Sequence, residues 1–229
     1  MITNYGEICV PSFDLLENKL ISLNSDKNLN YDNINDNGYC IFKSDFSNLI
    51  FELEKKFTIL KQNEAGNICM PVMPIKGENN IIHTRNEQPL HCDNAHSGTP
   101  PDFICLFCES NSTYGGESII KKIDENFLIP DLESIFSDKI TYVKNKKSYD
   151  VFLLEYLKGK IYSSYSPFCD YYELLNIKQY YALKKIHEKL FESPMLSYKI
   201  KPNEVIILNN RKFLHGRTKL FGNRKMLRL

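Results

Sequence analysis

The 229-residue chain has no apolar run long enough to cross a bilayer; its longest, such as Val205-Ile206-Ile207-Leu208, have the length of a strand. It has no excess of either charge: 29 Lys and Arg stand against 28 Asp and Glu, for a net charge of +1. These charges are spread along the chain with no basic stripe. That argues against a nucleic-acid or membrane surface. Residues Met1 to Glu7 lack the basic start and apolar core of a secretory signal. The seven cysteines are odd in number and irregular in spacing, so no disulfide framework is expected. Reduced thiols and a cytoplasmic location fit this pattern. The pair Cys105-Leu106-Phe107-Cys108 lies in an apolar strand pattern. It puts the two thiols on opposite faces, as core residues and not as zinc ligands.

At 42% hydrophobic, the chain has enough apolar residues for a core, and its length suits one domain over residues 1–229. Asn and Asp dominate 24–37, which reads as a surface loop. Apolar residues at 46, 49, 50, 53, 57 and 60 give a helical period, and Asp170 to Phe191 gives another. A short helix is expected over Asp131 to Phe136. Strands are expected at Gly38–Phe42, Phe103–Cys108, after Gly115-Gly116, at Ile140–Val143, Ser197–Ile200, Glu204–Leu208 and Lys225–Leu227. Short strands with a few helices outside predict a mainly β fold of the double-sheet jelly-roll type. The aromatic-rich stretch 146–170 has no clean period.

The chemistry is concentrated in two places. His91 and Asp93 stand two residues apart in Pro89-Leu90-His91-Cys92-Asp93-Asn94, and His215 lies near the C-terminus in Leu214-His215-Gly216-Arg217. In an extended strand, residues i and i+2 share a face, so an imidazole and a carboxylate reach one point. A distant histidine completes a two-His, one-carboxylate face. Such a face leaves further positions on a metal open, as in non-haem Fe(II) oxygenases.

Several motifs occur in one order along 38–229. Gly38-Tyr39-Cys40-Ile41-Phe42 precedes a helix, and Pro89 to Asn94 follows. Next come Pro100-Pro101-Asp102-Phe103 to Cys108 and Gly115-Gly116-Glu117-Ser118. The last are Tyr198 to Arg211 leading into Leu214-His215-Gly216-Arg217-Thr218, and Asn223 to Arg228. In these motifs the chain resembles the Fe(II)/2-oxoglutarate dioxygenases of the taurine dioxygenase, gamma-butyrobetaine hydroxylase and clavaminate synthase-like group. It departs in having Asn203 where members often have Gly. Asn is the next-best residue for a left-handed turn.

The resemblance implies a double-stranded β-helix, cupin-like, with Fe(II) held by His91, Asp93 and His215. Arg224 would grip the far carboxylate of 2-oxoglutarate, with Ser118 beside it, since a guanidinium can hold a carboxylate through two bonds. O2 is the remaining cosubstrate. Arg228, four residues beyond Arg224, is a candidate for an acidic group on the primary substrate. Further substrate-side candidates are Asn94, His83, Tyr165 and Phe168, with 146–170 as a lid. Tyr162 and His96 are weaker ones. Arg217 reads as structural, Asn209 and Asn210 as turn residues, and His187 as surface.

The function implied is hydroxylation of an unactivated C–H in a small molecule, an amino acid or other organic acid, with release of succinate and CO2. Desaturation or oxidative rearrangement at the same centre is the alternative, and a non-catalytic metal-binding shell is the third reading. Asp93 argues against halogenation, which needs a small residue in its place. The chain is short for the group, which leaves open a carrier protein or a homo-oligomer that completes the pocket.

Overall fold

The computed structural model of the chain describes residues 13, 19–26, 28–62, 66–78, 80–95, 100–124, 127, 138–144, 146–157, 160–167, 171–173, 176–192 and 194–229. Its frame is two five-stranded sheets. The first has the order β1 (Leu20–Ser22), β13 (Met195–Tyr198), β7 (Ser118–Lys122), β15 (Phe213–Arg217) and β4 (Gln88–His91). The second runs β2 (Tyr39–Lys43), β14 (Glu204–Asn209), β5 (Phe103–Ser110), β17 (Lys225–Arg228) and β3 (Met70–Val72). Neighbours within each sheet are antiparallel, except that β1 runs parallel to β13. This is the expected double-stranded β-helix.

Alternation along β14 shows how the layers are assembled. Ile206 and Leu208 enter a cluster with Ile41, Ile120, Phe213 and Met226, which joins the inner faces of the two sheets. Val205 and Ile207 point the other way, into a cluster with Leu49, Leu53 and Ile34 under the outer helices. An apolar run buried on both faces is what a covered sheet requires, and each such side chain contributes about 1.5–3 kcal/mol. Cys105 joins the outer cluster and Cys108 the inner one, so the two thiols do lie on opposite faces.

Two helices cover the second sheet. α1 (Tyr31–Asn37) occupies part of the stretch expected as loop. Its signal is local capping, with Asn30 Oδ1 accepting from the N–H groups of Asp32 and Asn33 and Gly38 closing the end at φ +82°. Only Ile34 is buried, so no amphipathic stripe announces the helix. α2 (Phe46–Glu54) is capped by Asp45 and stops short of the apolar positions 57 and 60. Phe57 leaves the helix to pack on Phe103 and Tyr31, with ring centroids 5.1 and 6.1 Å apart.

α3 (Ile177–Glu192) covers the first sheet with Ala182, Leu183, Ile186 and Leu190. The chain before it, expected as helix from Asp170, instead forms β12 (Tyr171–Glu173) in a small sheet with β8 (Ile140–Lys144) and β9 (Lys147–Val151). β10 (Leu154–Leu157) and β11 (Lys160–Ser163) form a hairpin, and β6 (Tyr114–Gly115) pairs with β16 (Leu220–Phe221). The described part of the expected lid is therefore strand. Its buried residues Val151, Leu154, Ile161 and Tyr165 pack into the core under α3. His187 is also buried there, with Nδ1 2.8 Å from the Tyr165 hydroxyl, and is not the surface residue expected from its charged neighbours. The helix expected over 131–136 lies outside the described residues.

Candidate metal centre

His91 ends β4 and His215 sits mid-way along β15. The two are direct cross-strand partners with ring centroids 4.2 Å apart. Asp93 lies in the turn just beyond β4, where Asn94 takes a positive φ of 54°. The turn, not a continued strand, brings the carboxylate back. Asp93 Oδ1 is 3.2 Å from His91 Nε2 and 3.7 Å from His215 Nε2. One donor atom from each residue lies within 4.8 Å of the others. His91 Nδ1 is 2.8 Å from the Pro89 carbonyl. A carbonyl only accepts, so Nδ1 carries the proton and Nε2 turns its lone pair toward the centre.

Asp93 is braced from two sides. Its N–H donates to Asn210 Oδ1 at 2.9 Å, and Asn210 Nδ2 donates back to the carbonyls of Asp93 (3.1 Å) and Pro101 (2.9 Å). Arg228 Nη1 donates to Asp93 Oδ2 at 2.9 Å, while Arg228 Nη2 reaches Gln62 Oε1 at 3.2 Å. Oδ2 is thus engaged, and Oδ1 is left facing the imidazoles. Burial opposes ionisation of Asp93. The His91 hydrogen bond, then the charge of Arg228, outweigh it and hold the carboxyl well below the usual range. Burial, with His91 and Arg228 nearby, pushes His215 down to about 3, against the pull of Asp93. It is neutral, with a lone pair available. Two imidazole nitrogens and one carboxylate oxygen converging from one side fit a divalent first-row metal such as Fe(II).

A second feature is a pair of buried cations. Arg224 and Arg217 are buried, 4% and 1% exposed. Burial lowers their pKa values to about 10 and about 9, and Arg217 is lowered further by Arg224. No carboxylate pairs with either among the described residues. Arg224 immediately precedes β17, which belongs to the sheet opposite β15. Ser118 is the cross-strand partner of Arg217. It lines a narrow internal cavity with His215, Ile104, Leu106, Ile206 and Leu208. A larger cavity, near 610 Å³, lies between Lys121, Lys189 and Phe213, and none of the metal donors lines it.

The other candidates are dispersed. Arg228 is at the centre, and the C-terminal strand is pinned beside it by paired bonds between the backbones of Leu229 and Cys105. His83 Nδ1 bonds the Met73 carbonyl, outside the donor cluster. Asn94 is exposed. The Asp93 turn is braced by Asn210, expected only as a turn residue, through bonds that cross 117 residues of sequence. Tyr165 turns its side chain to His187 and the helix-side core, away from the cleft role expected of it. The Tyr162 ring lies under the Arg211 guanidinium. Phe168 and His96 lie outside the described residues. Gln62 carried no sequence signal. Asn203 does adopt the left-handed conformation, at φ +62°.

No family model and no curated protein matches the chain. Solved structures do. The non-heme iron oxygenase OrfP, in complex with Fe and alpha-ketoglutaric acid, superposes with a TM-score of 0.69 at 14% identity, over 86% of this chain and 75% of that one. Asparagine oxygenase in complex with Fe(II), 2S,3S-3-hydroxyasparagine and succinate gives 0.67 at 13% identity, over 86% and 76%. OrfP with Fe, succinate and (3S)-hydroxy-L-Arg gives 0.69 at 14% identity, over the same shares. The chain has the double-stranded β-helix of the non-heme iron oxygenases. No helix among the described residues is long and apolar enough to cross a membrane.

Proposed function

We propose that the protein is an Fe(II)- and 2-oxoglutarate-dependent oxygenase, one domain over residues 1–229, that hydroxylates a small molecule of the amino-acid or organic-acid class and releases succinate and CO2. The carrying observation is the convergence of His91, Asp93 and His215 inside a barrel that also buries Arg224 with no acid partner among the described residues. A metal shell without turnover has no use for that cation. Iron, when bound, supplies the redox chemistry by which O2 and the keto acid oxidise an unactivated C–H.

His91 and His215 bind through Nε2 and Asp93 through Oδ1, while Arg228 holds Oδ2. Arg224 and Ser118 take the cosubstrate's far carboxylate. Arg228 has donors beyond those used by Asp93 and Gln62, and these face an acidic group of the substrate. The amino-acid class is supported by the hydroxyasparagine and hydroxyarginine bound to the similar structures. A reducing, cytoplasmic setting suits ferrous iron and the five described cysteines, all unpaired.

The test is anaerobic titration with Fe(II) and then 2-oxoglutarate. A visible charge-transfer band is expected, followed by succinate formation with members of an amino-acid panel under O2. Iron binding without the band would sink the oxygenase reading.

A further inference from the structure

Among the described residues Arg217 is the largest fully buried side chain, and its guanidinium is only partly satisfied. Nη2 donates to the carbonyls of Thr84 (3.1 Å) and Asn86 (2.5 Å). Nε and Nη1 are buried and meet no acceptor among the described residues, and Nε of Arg224 is in the same position. On β15, Arg217 stands two residues from His215 and so shares its inward face. Its cross-strand partner Ser118 lines the cavity that His215 also lines. The nearby acids are engaged elsewhere, Glu117 with Thr218 Oγ1 and Glu87 with the Phe13 N–H.

Two cations are thus buried near one another, with spare donors and no anion among the described residues. A buried uncompensated charge is among the most costly things a fold can hold. A carboxylate has two oxygens and about four acceptor sites, enough for both guanidinia. A lone structural arginine would need neither the second cation nor the spare donors.

We infer that Arg217, with Arg224 and Ser118, forms a two-guanidinium pocket for one end of a dicarboxylate, making Arg217 a further binding residue for the cosubstrate. This rests on the oxygenase reading for the identity of the ligand, but the pocket itself needs no metal. It holds any short dicarboxylate, so the product succinate is retained by the same contacts and competes with 2-oxoglutarate.

The experiment is calorimetric titration of the metal-free protein with succinate and with 2-oxoglutarate, alongside Arg217→Met, Arg217→Lys and Arg224→Met. The parent is expected to bind both dicarboxylates. Each Met variant should weaken binding by about 10–100-fold, as expected for loss of a charge-assisted hydrogen bond. Fe(II) affinity should be unchanged in the Arg217 variants, because Arg217 contacts none of the three donors. Arg217→Lys keeps the charge but not the fork. It covers the case in which the Met variant fails to fold, and a loss of about 10-fold or more is expected of it. Parent affinity in a folded Arg217 variant would reduce Arg217 to a stitch between β15 and residues 84–86 and overturn the inference. So would a parent that binds no dicarboxylate. If metal-free binding and its loss in the variants are seen but no charge-transfer band forms with iron, the pocket stands and the oxygenase reading falls.

Discussion

Two neighbouring buried sites of one barrel are built on opposite principles. At the metal site the protein supplies both signs of charge. Asp93 is met by His91, Arg228 and Asn210, and Arg228 by Gln62. At the guanidinium site it supplies one sign only, and the spare N–H groups of Arg217 and Arg224 face no protein acceptor among the described residues. The first site is preorganised, so a metal meets donors already in place. The second, as proposed, is completed by an anionic ligand. Binding there recovers the cost of enclosing the cations.

The comparison is broken most forcefully at Asp93. Asp93→Ala removes a donor and strands Arg228. Its loss of Fe(II) affinity and of succinate formation should exceed the about 10–100-fold typical of an outer partner. Asn210→Ala should fall within that about 10–100-fold range, because it leaves the three donors intact but frees the turn that aims Asp93. Anaerobic iron titration reads both, and equal losses in the two would mean the turn matters as much as the ligand.

Arg224→Met tests the other site through two effects of opposite sign. Cosubstrate binding should be lost, while ligand-free stability in urea should rise by about 1–4 kcal/mol as an unpaired buried charge is replaced by an apolar side chain. A fall in stability would show that the cation is already compensated, and the two sites would then be alike.

The smallest effect concerns Lys121, a buried cation at neither site, whose Nζ donates to the Pro194 carbonyl. Burial lowers its pKa to about 8 from 10.5, partly offset by Asp124. The folded protein therefore binds fewer protons at this site than the unfolded chain between those values, and stability should rise with pH across that window. Lys121→Met should flatten that rise in denaturation curves measured from pH 8 to 10.

The pattern of strands was legible because β14 and β5 carry apolar runs that only a covered sheet uses. α1 was not, since Asn30 and Gly38 hold it by capping with a single buried side chain. His187 is buried despite its charged neighbours because a helix buried over a wide stripe still carries lysines at its margins. Asn210 was read as a turn residue. It does lie at the β14–β15 turn, but its side chain crosses to the turn after β4.

The sequence by itself determined the donor types and the alternation that closes two sheets on each other. These follow from side-chain chemistry and the two-residue period of a strand. Tertiary structure decided which oxygen of Asp93 faces the imidazoles, and that Arg224 and Arg228 arrive from the opposite sheet. It also decided that two guanidinia are buried near one another with no acid among the described residues. Those outcomes depend on register and on contacts between distant segments, and no local pattern encodes them.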